Sequence, residues 1–290
     1  MKRTERALAA VGSSLLAAAL LISTGGCAST QAPNAAAYTD EVEYLNARAE
    51  HAFSTKEYLR ARVLWQQLSK DFPYSEYASL AELRVADSYF AEKAYAAAAE
   101  SYRAFTRLRP RHEKVPYAEF RVVESYAKMM PRERFFSPPT HERDLTDALI
   151  AYREGRRFLV RHRTTEYFEP AKEIVQQVAD RLAAHEIYVA RYYERRENYL
   201  GAMRRGAYVV ASFTESTLVP EAYLIQARNA FAVEEYQTVR DALAQIANTH
   251  GDAAELVAIQ ALVDAIPSGE AASDAPDEPE LMEDPGLSWE

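Results

Sequence analysis

The chain has 290 residues, a net charge of −9 and one cysteine; 48% of its residues are hydrophobic, enough for a sizeable core. A single cysteine excludes an intramolecular disulfide and a cysteine-rich zinc site. The charge is uneven: residues 268–290 hold eight acidic and no basic side chains, which leaves the body after position 26 near −3. Nothing in that balance provides a basic footprint for nucleic acid, so no nucleic-acid partner is expected.

In chain order, Lys2, Arg3 and Arg6 precede an apolar run from about Ala7 to Ile22, and Ser23, Thr24, Gly25 and Gly26 lead into Cys27. That is the layout of a secretory signal peptide, and its 16-residue apolar run falls short of the roughly 20 a membrane-spanning helix needs. Small residues closing on a cysteine resemble the lipobox of bacterial lipoproteins, with Thr24 where leucine is usual. The resemblance implies cleavage before Cys27, a diacylglyceryl group on its sulfur and acylation of the new amino terminus. Two or more buried chains suffice for stable anchoring. Ala28, rather than Asp, follows the cysteine, which by the enterobacterial sorting rule implies the outer membrane. Residues 1–26 are therefore expected to be a signal peptide and 27–38 a lipidated flexible tether.

From about 39 to 266 helical periodicity dominates. KEYLRARVLWQQLSKDFP (56–73) aligns with KAYAAAAESYRAFTRLRP (93–110) at a period of 37, and ENYLGAMRRGAYVVASFT (197–214) with EEYQTVRDALAQIANTHG (234–251) at the same period. Tyr95, Ala98, Tyr102 and Phe105 share one helical face. Alanines such as Ala86 allow two antiparallel helices to approach, aromatics fill the wedge between repeats, and Pro73 and Pro110 end the second helix. The pattern resembles the tetratricopeptide repeat, best in the second unit through Ala86, Tyr89, Ala98, Tyr102 and Pro110. The expected fold is all-α: a solenoid of five helix hairpins with second helices starting near 57, 94, 145, 198 and 235. Its third unit is split by an insertion within 130–144, and a capping helix runs from about 253 to 265. Most of the 19 tyrosines, including Tyr89, Tyr95, Tyr102, Tyr126, Tyr152 and Tyr199, fall at packing positions. Residues 267–290, acidic and rich in Pro, Ala and Ser, are expected to be a disordered tail.

Catalytic signatures fail one by one. His185-Glu186 opens an HExxH pattern, but position 189 is Val; Gly201 to Gly206 has P-loop spacing without the following Lys-Ser/Thr; no GxSxG occurs. The six histidines are scattered. The chain reads as a binding scaffold and not an enzyme, with no catalytic residue, metal or cofactor expected.

One combination is more specific than the repeat. FPYSEYASLAELRVADSYF (72–90), ERDLTDA (142–148) and RLAAHEIYVARYYERRENYLGAM (181–203) follow the lipobox in an order and spacing that resemble the BamD family, lipoproteins of the bacterial outer-membrane β-barrel assembly (BAM) machine. The resemblance runs from about 27 to 265. It implies a periplasm-facing subunit anchored in the outer membrane, with unfolded outer-membrane proteins received by the first repeats, BamA, the barrel subunit, docked on the later ones, and other machine subunits as further partners. By position it implies that Arg205, with Arg204, faces an acidic patch on BamA. Tyr74 and Tyr77 start a helix after Pro73 and either line the peptide groove or pack between repeats. FT at 213–214 and HRTTEYF at 162–168 depart from the family's turns. The same anchor and solenoid also suit an adaptor for cell-wall or division enzymes, the rival reading.

Overall fold

A computed structural model describes residues 35–131 and 144–267, with side chains from Tyr38 onward. The signal peptide, Cys27, residues 28–34 of the expected tether, residues 132–143 of the insertion and the acidic segment 268–290 lie outside the described residues. Among the described residues there are eleven helices and no strand. They are α1 Ala35–Ser54, α2 Tyr58–Asp71, α3 Glu76–Ala91, α4 Tyr95–Leu108, α5 Val115–Met129, α6 Thr146–Arg161, α7 Phe168–Arg195, α8 Tyr199–Ser212, α9 Val219–Ala232, α10 Tyr236–Thr249 and α11 Ala254–Asp264. The second helix of each hairpin begins one residue after the position read from sequence.

Each helix packs on the next, so five hairpins (α1–α2, α3–α4, α5–α6, α7–α8, α9–α10) stack in chain order, and α11 closes the far end against α9 and α10. First helices also touch across hairpins, α1 with α3, α5 with α7 and α7 with α9, whereas second helices share no comparable contact. Closer spacing on one side curves the stack, with the first helices on its inner face. α11 buries Ile259 in the last cluster beside Val239, Ala242 and Ile246, covering an apolar face that a terminal repeat cannot bury alone.

Four of the five hairpins turn in the same way. Lys56, Lys93, Glu197 and Glu234 occupy the left-handed region with φ of 64°, 66°, 59° and 63°. In the first, the Lys56 N–H donates to the Phe53 carbonyl at 3.0 Å and the Glu57 N–H to the Ala52 carbonyl at 2.8 Å, which satisfies the last carbonyls of α1. The second helices share an ending as well. The backbone N–H of Phe72, Arg109, His162, Phe213 and His250 bonds to the carbonyls of Leu68, Phe105, Phe158, Val209 and Ile246, whose side chains are buried. Pro73 and Pro110, which cannot continue a helix, come directly after the first two of these ends.

Tyr102 and Trp65 are fully buried wedges, as the sequence suggests, and Tyr152 is buried too. Tyr199 is a correction: it is 37% exposed. Its counterparts Tyr58, Tyr95 and Tyr236 meet Phe53, Phe90 and Phe231 edge-on at 5.1–5.6 Å. In the fourth hairpin the matching residue is Glu194, so Tyr199 has no ring to close on.

Candidate functional site

The inner face of the first three hairpins carries a charged ladder at the repeat period. Arg84 and Arg121 are 37 residues apart on α3 and α5, and Glu50, Asp87 and Glu124 follow the same spacing on α1, α3 and α5. Arg84 donates from Nε to Glu50 at 2.7 Å and from Nη1 to Asp87 at 3.3 Å, and its guanidinium lies 4.8 Å from the Phe53 ring centre. The hydrogen bond to the Glu50 carboxylate raises the Arg84 pKa above its ordinary value. One repeat later Arg121 lies 3.5 Å over the Phe90 ring, donates to the Tyr102 hydroxyl at 3.2 Å and pairs with Glu124 at 2.7 Å.

Asp87 is the hub of this ladder. Its Oδ1 accepts from the Tyr102 hydroxyl at 2.5 Å and the Tyr117 hydroxyl at 2.7 Å. Burial, reinforced by the Asp87 charge, pushes both phenols far above their ordinary pKa, so they remain neutral donors. Each charge in this row, buried at Asp87 and half-buried at the others, has a partner, which is the condition for keeping such a row against a helical stack. The row is a rigid framework for a surface.

The residues singled out from sequence do not converge on one place. Tyr74 lies in the α2–α3 turn, 97% exposed, two residues before α3 begins, so it does not itself start a helix. Tyr77, in the first turn of α3, packs against the cluster of Trp65, Leu68 and Phe72. On α8 the two neighbouring arginines part company. Arg204 is exposed, with no ion pair among the described residues, whereas the Nη1 of Arg205 donates to the largely buried Glu186 of α7 at 2.9 Å. One turn either side of Arg204 α8 exposes Leu200 and Tyr208, and on α7 the same hairpin exposes Tyr192, with the Arg196 guanidinium 5.2 Å from its ring centre. Aromatic rings beside an unpaired arginine are the composition of a protein-docking surface. Cys27 lies outside the described residues. Sequence reading passed over the ladder, although its signal, Arg and acid recurring every 37 residues, was present.

A family model described as YfiO, "Outer membrane lipoprotein", matches residues 39–247. Curated proteins described as "Outer membrane protein assembly factor BamD" are similar. The one from Neisseria gonorrhoeae is 27% identical over 186 residues, 63% of this chain and 70% of that protein. The one from Vibrio cholerae serotype O1 is 24% identical over 165 residues, 56% and 68%. The one from Xylella fastidiosa strain 9a5c is 24% identical over 177 residues, 60% and 61%.

Proposed function

Because the chain belongs to the YfiO family of outer membrane lipoproteins, we propose that it is a scaffold subunit of the BAM machine, binding unfolded outer-membrane proteins and docking on a BamA-like barrel subunit without catalysing a reaction. The observation that carries this is the family match over 39–247, which runs from α1 into α10 and so covers the hairpin stack itself. On this reading Cys27 bears the lipid that holds the protein to the outer membrane, facing the periplasm.

The division of labour follows the two surfaces. The inner face of the first hairpins, stiffened by the Arg84–Asp87–Arg121 row, offers a fixed wall for an extended chain, with Tyr74 open at its edge and Tyr77 seating that turn. The fourth hairpin takes the barrel subunit. Arg204 is the cation available to an acidic patch there, and Arg205 joins it only by giving up part of its hold on Glu186.

The test is affinity capture of the C-terminally tagged protein from detergent-solubilised envelopes, with mass spectrometry of its companions. A large β-barrel protein with periplasmic domains, recovered in near-equal amount, supports the reading. Cell-wall enzymes without a barrel subunit overturn it in favour of the adaptor.

A further inference from the structure

A second cationic surface lies apart from the inner face and from Arg204. On α6 an open depression is lined by Tyr152, Arg153, Arg156, Arg157, Val160 and Arg161, and Arg163 follows at the helix end. Val160 is 67% exposed among these arginines. The acids within reach are few and already shared. Arg156 pairs with Glu215, which also accepts from the Tyr152 hydroxyl; Arg157 pairs with Glu154, which also holds Arg103; Arg161 pairs with Glu119, which also meets His162. Arg153 and Arg163 have no ion pair among the described residues. Five arginines and one exposed valine thus face solvent with three divided carboxylates between them.

The chain itself contains the complement. Residues 268–290 carry eight carboxylates and no cation, interleaved near the end with Leu281, Met282, Leu287 and Trp289. We propose that this acidic C-terminal segment lies on the arginine surface of α6 in the same molecule, its carboxylates opposite Arg153, Arg156, Arg157 and Arg163 and one of its apolar side chains against Val160.

Reach permits it. The segment leaves from Pro267, just past α11, and 23 extended residues span up to about 75 Å. The four helices between α6 and α11, at about 8–10 Å apiece, occupy about half that distance. Exposed ion pairs are individually weak. Tethering changes the outcome, because a linked segment acts at an effective concentration in the millimolar range and needs no high intrinsic affinity to stay bound. The contact must also weaken in salt, since exposed charges are screened within about 10 Å at 0.1 M.

The experiment uses the full-length protein in detergent with a photocrosslinking benzoylphenylalanine in place of Trp289, followed by mass-spectrometric mapping. The expected product is monomer-sized, maps to residues 149–163, and falls at least fivefold in Arg153→Glu/Arg157→Glu and in 0.5 M salt. A tail variant, Glu280→Gln/Glu283→Gln/Asp284→Asn, should lose it equally and cannot disturb the helices, so it decides the matter if the arginine variant fails to fold. Cross-links mapping elsewhere, a dimer-sized product, no product at all, or a product indifferent to both charge changes each overturn the proposal. The assembly reading stands apart from this result, because the capture experiment tests it.

Discussion

Hairpins one and two and hairpins three and four solve the same packing problem in opposite ways. Six residues before the end of each second helix stand Trp65 and Tyr102 in the first pair and Gly155 and Gly206 in the second. The aromatics hold neighbouring helices apart and need partners for their polar tips, which Asn46 (3.3 Å) and Asp87 supply. The glycines let the next hairpin come in. A Cβ on Gly206 would sit 2.8 Å from the Ala222 carbonyl oxygen and 3.0 Å from the Gln226 nitrogen, both backbone atoms of α9. The inner-face charge changes one hairpin after the wedge, since the third hairpin still carries Glu124 at this position. Where Asp87 receives a buried phenol, the matching residues of the fourth and fifth hairpins are Arg191 and Arg228, which pair with Glu221 and Glu194 at 2.5 Å.

The largest break in this comparison is Tyr102→Ala, which should destabilise the fold by about 3–5 kcal/mol through the lost volume. Tyr102→Phe, which keeps the ring but removes one donor from Asp87, should cost about 1–3 kcal/mol. Urea melts followed by circular dichroism measure both, and equal losses would mean that the hydroxyl, not the wedge, carries the contribution.

Next comes Gly206→Ala. In a free helix this change gains about 1 kcal/mol. Here the new methyl meets backbone, which cannot rotate away, and a net loss of about 1–3 kcal/mol is expected from overpacking. A melt at or above the wild-type midpoint would show that α8 and α9 are not as closely seated as these distances require.

Smaller again is the pair on α8. Arg205→Glu sets a carboxylate against Glu186 and should lower stability by about 1 kcal/mol, so any loss of docking in that variant is partly a folding effect. Arg204→Glu disrupts nothing inside the protein and should melt like the wild type while weakening capture of the barrel subunit. Unchanged capture by Arg204→Glu would take the fourth hairpin out of the docking site.

The two halves also differ in how far the sequence discloses them. Second-helix starts were legible to one residue, because a tyrosine opens four of the five and the 37-residue register relates the first two units and the last two. Tyr102 was legible as core because its helical face is apolar throughout. Tyr199 was not. Its exposure depends on Glu194 standing where the other hairpins have phenylalanine, and that shows only when the turns are superimposed. The Arg205–Glu186 pair joins two helices across 19 residues, a distance at which no helical spacing rule operates. The separation of Tyr74 from Tyr77 turned on where α3 starts. In those two residues the chain passes from open turn to packed helix.

The smallest expected effect sharpens the comparison at the turns. Lys56, Lys93, Glu197 and Glu234 all hold a left-handed backbone, which costs a side-chain-bearing residue about 1–2 kcal/mol relative to glycine. Glycine at such a site returns that strain but adds unfolded-state entropy worth about 0.4–1 kcal/mol, so each substitution should gain only a few tenths to about 1 kcal/mol. The halves should not gain equally. A lysine just past a helix C-terminus is favoured by the negative end of the helix dipole, and a glutamate there is opposed by it, a difference of about 0.3–1 kcal/mol per site. Glu197→Gly and Glu234→Gly should therefore stabilise more than Lys56→Gly and Lys93→Gly, and the gap should narrow in 0.5 M salt as the exposed charges are screened. Equal gains at all four turns, or a gap that ignores salt, would mean that backbone strain alone governs these positions and that the exchange of lysine for glutamate between the halves carries no energetic weight.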